Sequence, residues 1–337
     1  MTANGRTKLR VPRGRVLEED GTEREWRSEL LPRYQRRTRE VNEAILGCYL
    51  GGVNSRRIRK SLEPLLGEEF LSKSSVSRLV GRLKKLFEEW RERDLSAEKV
   101  LIVYLDAMRL PVRLARLVVK VPVQASIGIL EDGSKVLLSL EIAASESNMS
   151  WGLVVKALAE RGLSCPRLLI VDGNQGLSNA IHSQWKEALV QRCTRHKLEN
   201  LLSKAPKHSH RELKRDYRAI VNAENLASAE QAREAFVAKW SKLSKEVVKS
   251  LEEAGEELLN FYRFPRSMWK CLRTTNPIER VNLEFRRRTK TQGSFPNEDS
   301  ALVLLFGLVA MGQIEFRRIT GYRDLTHVVA MGLEEAA

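Results

Sequence analysis

Apolar residues in the first hundred positions recur every three or four residues, which is the spacing of one face of an amphipathic helix. One such stripe precedes the Gly51-Gly52 pair, a second follows it, and a third begins near Ser74. Helices separated by a short glycine-containing turn are typical of a helix-turn-helix module, so we predict a DNA-binding region at residues 33–97. Residues 1–32 are polar and poorly periodic, which predicts a flexible arm. The stripes consist of Val41, Ile45, Leu46 and Tyr49, then Ile58, Leu62, Leu65 and Leu66, then Val76, Leu79, Val80, Leu83 and Leu86.

After Lys99 the pattern changes to short apolar runs that suit buried strands. The run VLIVYLDA predicts a strand that ends in a carboxylate, and two further runs flank Glu131-Asp132-Gly133-Ser134, a turn sequence that predicts a β-hairpin. Strands and helices then alternate, so the pattern predicts an α+β fold. The elements expected after the hairpin are helices at 149–161, 175–188 and 195–203 and strands at 167–171 and 189–193.

The last third of the chain is predicted to be helical. Residues 205–264 are strongly charged and show no strand pattern. The longest apolar run, Ala301 to Met311, is about half of the roughly 20 residues that cross a bilayer, so we expect a buried helix and no membrane span. Residues 323–337 are expected to form a C-terminal tail.

Composition narrows the class of partner. Lys plus Arg number 58 and Asp plus Glu number 43, which gives a net charge of +15 and favours a polyanionic partner, with nucleic acid first. A hydrophobic content of 42% supports a folded core. Four widely spaced cysteines and no apolar segment behind the basic N-terminus predict a protein of the reducing cytoplasm, without a secretory signal.

Three carboxylates stand at positions where chemistry is expected. Asp106 ends the first strand, Asp172 follows a later strand, and Glu279 lies in the first turn of a helix that Asn276 is predicted to cap. Three hairpin-linked strands, a helix and a further strand place the ends of the first and fourth strands side by side in a ribonuclease H-like sheet. Such a cluster suits two Mg²⁺ ions about 3.5–4 Å apart, with Mn²⁺ as a substitute, that act in phosphoryl transfer.

Four segments resemble the Mutator-type transposases of bacterial insertion sequences, which are Asp-Asp-Glu transposases with a ribonuclease H-like catalytic domain. They are YLDA at Asp106, VDGNQGLSNAI at Asp172, QRCTRHKLENLL at His196, and LRTTNPIERVNLEFRRRTKTQGSFPNEDSAL at Glu279. The resemblance runs from about Arg33 to Tyr322. It implies that Asp106, Asp172 and Glu279 are the metal-binding triad.

The resemblance also implies a divided catalytic domain. Its first part is expected at 98–204 and its second at 265–322, with 205–264 as an all-α insertion, because the distance from Asp172 to Glu279 is too long for one crossover. One segment departs from the family. Residues 107–111 read Ala-Met-Arg-Leu-Pro where the family has polar or aromatic residues, which leaves open a diverged or inactive copy.

The pair Cys193-x-x-His196 has three interpretations. It could form half of a zinc site, with His208 and His210 supplying the rest. The resemblance implies instead that His196 contacts the scissile phosphate or orients a carboxylate while Cys193 packs. His196 could also be bonded to the backbone at a helix start.

Two residues after the third strand are further candidates by resemblance. Glu146 could support the metal site, and Trp151 could stack on a flipped base. A buried tryptophan in the hydrophobic core is the alternative for Trp151, and the more common one.

Basic residues in two places are candidates for DNA contacts. Asn282 and Arg286 share the helical face of Glu279, and they begin a run of basic side chains beside the expected phosphodiester site. A solvated helix face is the alternative for every one of these residues. The DNA-binding candidates are Arg56, Arg57, Arg59, Ser77, Arg78 and Arg82 in the N-terminal region, and Asn282, Arg286, Arg287 and Arg288 after Glu279.

The sequence thus predicts a DNA transposase that binds terminal inverted repeats, cuts DNA with water and joins the freed 3′-OH to a new strand. Binding two DNA ends implies a homodimer, and the resemblance places it in the bacterial cytoplasm at the nucleoid. A non-catalytic DNA-binding regulator and a structure-selective nuclease remain as alternatives.

Overall fold

The computed structural model describes residues 14–26, 38–53, 57–58, 61–62, 73–143, 148–173 and 175–334. The chain divides into two compact units between Phe87 and Glu88. The short segment Arg288–Gly293 belongs to the N-terminal unit, and Ser294 returns the chain to the C-terminal unit.

In the N-terminal unit, a β-hairpin stands within the segment that the sequence predicts to be an arm. Strand β1 (Arg15–Leu17) pairs antiparallel with β2 (Glu23–Glu25), and all six residues are exposed. An ion pair of 2.7 Å joins Arg15 to Glu23 across the hairpin. Strands of three exposed residues leave no hydrophobic alternation, so the apolar pattern did not predict them.

Helix α1 (Arg39–Leu50) buries the first predicted stripe and ends at the Gly51-Gly52 break, where Gly52 takes a left-handed φ of 89°. Ile58 and Leu62 of the second stripe are buried, while Leu65 and Leu66 lie outside the described residues. Most of the segment 54–72 also lies outside them, so the helix-turn-helix assignment stays a prediction.

Helix α2 (Lys73–Arg91) begins one residue before the predicted start. Its buried face carries Val76, Leu79 and Leu83, as expected, together with Phe87. Leu86 was assigned to this face, but it is 49% exposed. At 100° per residue, Leu86 lies about 80° around the helix from Val76, and Phe87 only about 20°.

The C-terminal unit is built on a five-stranded mixed sheet with the order β5-β4-β3-β6-β7. The three hairpin-linked strands are antiparallel neighbours, and β6 and β7 run parallel to β3. The predicted turn is present, with Gly133 at φ 81°. The strands are β3 (Val100–Leu114), β4 (Leu117–Leu130), β5 (Lys135–Ile142), β6 (Leu168–Val171) and β7 (Leu189–Arg192).

Strand β3 is much longer than the sequence predicts. It continues for eight residues past Asp106, so this carboxylate lies within the strand and not at its end. Met108, Leu110 and Val112 are buried on alternate positions, which explains why the apolar residues after Asp106 belong to a strand. The segment that departs from the family is therefore regular sheet structure.

Helices α3 (Asn148–Glu160), α4 (Gln175–Gln184) and α5 (Thr194–Lys204) follow the prediction within one to four residues. Helices α3 and α4 form one hydrophobic core with β3 and β6. Trp151 is 2% exposed within this core, which confirms the structural alternative for it. Glu146 lies outside the described residues.

The charged segment after Lys204 is helical and contains no strand among its residues, all of which are described. It comprises α6 (His210–Val221), α7 (Leu226–Leu243) and α8 (Lys245–Glu253), with short 3₁₀ turns at Lys207–Ser209, Gly255–Leu258, Asn260–Arg263 and Arg266–Met268. Arg192 of the sheet, 1% exposed, pairs with Glu257 at 2.9 Å and Glu253 at 3.2 Å, and so ties α8 and the turn after it to β7.

Four helices complete the chain: α9 (Trp269–Leu272), α10 (Asn276–Thr289), α11 (Glu298–Ala310) and α12 (Leu325–Glu334), with 3₁₀ turns at Lys290–Gln292 and Tyr322–Asp324. Residues Ala301 to Leu308 of α11 are all buried, as predicted for this apolar run. Within the described ranges, no helix combines the length and the hydrophobicity required to span a bilayer.

Candidate active site

Asp106 and Asp172 lie level with each other on neighbouring parallel strands. The register pairs Tyr104 with Ile170, so each aspartate is two residues beyond this pair. Asp172 is the first residue after β6, and neighbouring strands lie about 5 Å apart, so the two aspartates are close together at this point of the sheet. The sequence predicted this proximity, although it placed Asp106 at a strand end.

The environment of Asp106 destabilises its ionised form. Burial raises the pKa of the Asp106 carboxyl to about 6, and the charge of Asp172 acts in the same direction. A hydrogen bond from Asn282 opposes these effects without cancelling them. A buried carboxylate whose charge is destabilised further by a neighbouring carboxylate is a place where a divalent cation would be attractive.

Glu279 reaches the site from the first turn of α10. The backbone N–H of Glu279 donates to the carbonyl of Thr275 at 2.9 Å, and the helix begins at Asn276. Thr275 therefore caps this helix, one residue before the predicted cap at Asn276. The Thr275 hydroxyl also donates to Oε1 of Glu279 at 2.7 Å, which fixes the carboxylate over the helix start.

The first turn of α5 supplies two cationic partners for Glu279. Arg195 Nη1 lies 3.0 Å from Oε2, and His196 Nε2 lies 3.9 Å from Oε1. The amide N–H of Thr194 donates to the Arg273 carbonyl at 2.9 Å, which ties the start of α5 to the segment before α10. The sheet edge, α5 and α10 thus meet around one carboxylate.

Asn282 lies inside the carboxylate site and not on the protein surface. Its side chain is 1% exposed, and Nδ2 donates to Oδ2 of Asp106 at 2.8 Å. The sequence assigned Asn282 to DNA because it shares a helical face with Glu279. The shared face is correct, but Asn282, about one helical turn after Glu279 on α10, uses it to contact Asp106 of β3.

The metal-ligand geometry does not support the proposed zinc set. Among the described residues, one group of His, Cys and acidic ligand atoms lies within 4.8 Å of one another, and it consists of Cys193, His196 and Glu279. His210 instead contacts the Ala205 carbonyl through Nε2 at 3.1 Å, and His208 is exposed. Cys193 and His196 therefore associate with the carboxylate site.

Cys193 and His196 shift each other's protonation. The Cys193 sulfur raises the pKa of His196 to about 9, against the effect of burial, and the Glu279 and Asp172 carboxylates add to the rise. Burial raises the pKa of the Cys193 thiol, but His196 and Thr275 lower it overall. His196 is consequently a cation at neutral pH, adjacent to two acidic side chains.

Two buried polar atoms in this site have no hydrogen-bond partner among the described residues, Oδ1 of Asn282 and Nδ1 of His196. An unpaired buried oxygen on the residue that bonds Asp106 suits a hard cation, since Mg²⁺ prefers oxygen ligands. Asp106, Asp172 and Glu279 would supply oxygen ligands for such an ion, but in the described residues their ligand atoms do not all lie within 4.8 Å of one another. The donor types of the site therefore fit magnesium.

The other predicted DNA-binding residues fall into two groups. In the N-terminal unit, Arg57, Ser77, Arg78 and Arg82 are exposed, and Arg56 and Arg59 lie outside the described residues. On α10, Arg286 and Arg287 are exposed and Arg288 is half-buried. Arg287 pairs with Glu284 at 3.5 Å, on the helix face that does not carry Glu279.

Arg195 and Thr275 were missed by sequence reasoning. Arg195 directly precedes His196, which the sequence did assign to the site, and both residues lie in the first turn of α5. Thr275 precedes Asn276 and is four residues before Glu279, a spacing at which two side chains are neighbours along a helix. The Thr-x-x-x-Glu spacing was thus a readable signal.

Comparison with known proteins gives a consistent family. A family model described as "Transposase, Mutator family" matches residues 1–318. The transposase for insertion sequence element IS905 of Lactococcus lactis is 33% identical over 308 residues, which covers 90% of this chain and 76% of that protein. The transposase for ISRM5 of Rhizobium meliloti is 33% identical over 340 residues, covering 100% of this chain and 83% of the relative. The transposase for IS256 in transposon Tn4001 of Staphylococcus aureus is 31% identical, with 92% and 77% covered.

Proposed function

The chain belongs to the Mutator family of transposases, and we propose that it is a DNA transposase whose metal-dependent centre is formed by Asp106, Asp172 and Glu279. The observation that carries the proposal is that Asp106 in β3 and Asp172 directly after β6 stand at the same level of two parallel neighbouring strands. The start of the helix that carries Glu279 contacts α5 through Arg195. The relatives named above are insertion-sequence transposases, which supports the same reaction class.

We assign the C-terminal unit to the ribonuclease H-like fold. Its support is the sheet, in which three antiparallel strands are followed by two strands parallel to the first. Residues 205–264 are assigned as the all-α insertion, and residues 33–97 as the helix-turn-helix region that binds the terminal inverted repeats. The exposed Arg57, Ser77, Arg78 and Arg82 are the contacts proposed there.

The proposed chemistry is in-line attack on phosphorus, first by water and then by the freed 3′-OH. Two Mg²⁺ ions, or Mn²⁺, held by the three carboxylates would activate the nucleophile and stabilise the leaving oxygen. Arg195 and Thr275 hold Glu279 in place through contacts of 3.0 and 2.7 Å. His196, cationic at neutral pH, is placed to contact a phosphate oxygen, and Arg286 and Arg287 are proposed phosphate contacts further along α10.

Binding of two element ends leads us to propose a homodimer, acting at the nucleoid in the bacterial cytoplasm. Support comes from the net charge of +15, which suits double-stranded DNA as the partner.

A strand-transfer assay tests the proposal. A labelled duplex containing the DNA that borders the gene, either intact or pre-cut at the end, is incubated with the protein, target DNA and Mg²⁺. The proposal predicts cleavage of the intact end and joining of the pre-cut end. Cleavage without joining would contradict it in favour of a structure-selective nuclease, and binding without either reaction would indicate a non-catalytic regulator.

A further inference from the structure

The β3–β4 hairpin extends far beyond the edge of the sheet that carries the carboxylates. Strand β6 ends at Val171, just before Asp172, but β3 continues for eight residues past Asp106, from Ala107 to Leu114. At about 3.3 Å per residue this is an extension of roughly 26 Å. Because β3 runs parallel to β6, the extension projects on the side from which a substrate would approach Asp106 and Asp172.

The hairpin is paired to its tip and fixed at its middle. Leu114 pairs with Leu117 across a two-residue turn, and Ala115 in that turn takes a left-handed φ of 54°, which most side chains avoid. Phe295, 1% exposed, bonds to the outer side of β3. Its carbonyl accepts from the Arg113 N–H at 2.8 Å, and its own N–H donates to the Pro111 carbonyl at 2.9 Å.

The tip of the hairpin is exposed and apolar. All eight residues from Arg113 to Lys120 are exposed. Leu117 is 72% and Val118 54% exposed, and the adjacent Leu114 and Val119 are 40% and 42% exposed. Adjacent exposed apolar residues on a paired, solvent-projecting strand are a liability unless a partner covers them. The exposed apolar residues of the tip are therefore expected to be covered by a binding partner.

The charge of the hairpin identifies the partner. Between Asp106 and Glu131 the sequence has no acidic residue, and its cations are Arg109, Arg113, Arg116 and Lys120. In the part of the chain that the structure describes, the side chains of Arg113, Arg116 and Lys120 form no ion pair. Cations that no carboxylate neutralises, interleaved with apolar side chains, suit a polyanion that also offers apolar surface.

We propose that this hairpin is a DNA-binding arm that enters a groove of duplex DNA next to the carboxylate site. Arg113, Arg116 and Lys120 contact phosphates, and the apolar tip around Leu117 contacts sugars and bases. A two-stranded β-ribbon matches the major groove, which is about 12 Å wide. A second copy of the chain is the less suitable occupant, because it would bring a like-charged hairpin. This inference rests on the proposed function, since it names how the same site receives its substrate.

Two pairs of variants test the arm. The first variant replaces Arg113, Arg116 and Lys120 by Ala. Its control replaces Lys242, Lys245 and Lys249, three exposed residues of the helical segment, and so removes the same amount of charge. The second is Leu117→Ser, whose control is Leu243→Ser at a site 59% exposed. The probe is a fluorescein-labelled duplex of mixed sequence, titrated by fluorescence anisotropy over a series of salt concentrations.

The arm predicts that the hairpin triple variant binds the duplex about ten- to a hundredfold more weakly, while its control stays within about threefold of the unmodified chain. The slope of log affinity against log salt should fall by about 2 to 3 for the hairpin variant. Leu117→Ser should weaken binding about three- to tenfold with no change in that slope. Circular dichroism confirms that each variant is folded.

Equal losses for the hairpin triple and the lysine triple would overturn the arm, since general charge would then explain binding. A Leu117→Ser variant that binds DNA normally but loses a dimer seen by sedimentation equilibrium would overturn it in favour of a second copy. Strand transfer separates the two proposals. If the unmodified chain performs strand transfer and the hairpin triple variant binds DNA as well as it does, the arm alone is overturned. If binding depends on the hairpin but the unmodified chain cleaves no DNA, the proposed reaction alone is overturned.

Discussion

The side-chain nitrogen of Asn282 donates a hydrogen bond of 2.8 Å to Oδ2 of Asp106. The carbonyl oxygen of the same amide is buried and has no partner among the described residues. A buried amide that is satisfied on one end alone costs free energy, so its retention in the fold indicates a task at the open end. In the proposed reaction Asn282 positions Asp106 through its side-chain nitrogen.

Replacing Asn282 by Ala should therefore impair metal use more than DNA binding. The Mg²⁺ concentration for half-maximal cleavage should rise about ten- to a hundredfold, because Asp106 loses the donor that orients it. The measurement is a metal titration of cleavage rate, with duplex affinity recorded in parallel.

Leu283→Ala is the matched control, since the neighbouring Leu283 side chain is 60% exposed and should leave the metal requirement unchanged. An Asn282→Ala variant with normal metal dependence and weakened DNA binding would return Asn282 to the DNA-contact role that its helical spacing first indicated.

Replacing Asp106 by Asn should stabilise the metal-free protein at alkaline pH. The folded-state pKa of Asp106 is about 6, above the ordinary aspartate value of 3.8, so the ionised carboxylate destabilises the fold. This penalty is fully present above pH 6, declines between about pH 6 and 4, and is absent below. The variant should gain about 1–3 kcal/mol at about pH 8, measured by urea unfolding with a chelator present.

Asp132→Asn provides a control of opposite sign. Hydrogen bonds from Ser134 lower the pKa of the Asp132 carboxyl, so its ionised form stabilises the fold above the unfolded pKa and the contribution is lost as pH falls. This variant should lose stability at about pH 8 and none in acid. A destabilised Asp106→Asn variant at alkaline pH would contradict the environment assigned to Asp106.

Thr275 should matter for cleavage through its hydroxyl. Thr275→Val keeps the shape of a side chain that is fully buried, but removes the donor that lies 2.7 Å from Oε1 of Glu279. Cleavage should slow about tenfold, the equivalent of one hydrogen bond of about 1.4 kcal/mol. Thr275→Ser retains the donor and should recover most of the rate. Equal rates for the two variants would show that the hydroxyl does not act on Glu279.

Arg192 should contribute to stability through the helical segment. Its guanidinium is 1% exposed and contacts Glu257, Glu253 and Gln175, so Arg192→Met should cost about 2–4 kcal/mol in urea unfolding. The control Arg263→Ala removes an exposed ion pair of 3.8 Å and should cost less than about 1 kcal/mol. A comparable loss for the two would indicate that Arg192 does not join β7 to α8.

The sequence predicted the sheet and the proximity of Asp106 to Asp172, because hydrophobic runs and connection lengths leave few ways to arrange such strands. It did not predict the length of β3. Pro111 and the mixed residues after Asp106 read as the end of a strand, whereas pairing with β4 continues through them. The local pattern of apolar and polar residues does not predict strand pairing between distant parts of the chain.

The sequence predicted which residues belong to the site better than it predicted the contacts between them. Helical spacing placed Asn282 on the face of Glu279, but only the packing of α10 against β3 shows that this face meets Asp106. Arg195 is likewise joined to Glu279 across a separation of 84 residues. The sequence did not predict that the hairpin tip is exposed, because Leu117 and Val118 are residue types that are usually buried.

The most direct measurement of the central claim is Mg²⁺-dependent cleavage of the labelled element end by single carboxylate variants. Asp106→Asn, Asp172→Asn and Glu279→Gln should each lose at least about a thousandfold in rate while they bind the same duplex normally. Asp132→Asn and Glu230→Gln, exposed acids outside the site, should cleave like the unmodified chain. Cleavage at an unchanged rate by any of the three site variants would contradict the account.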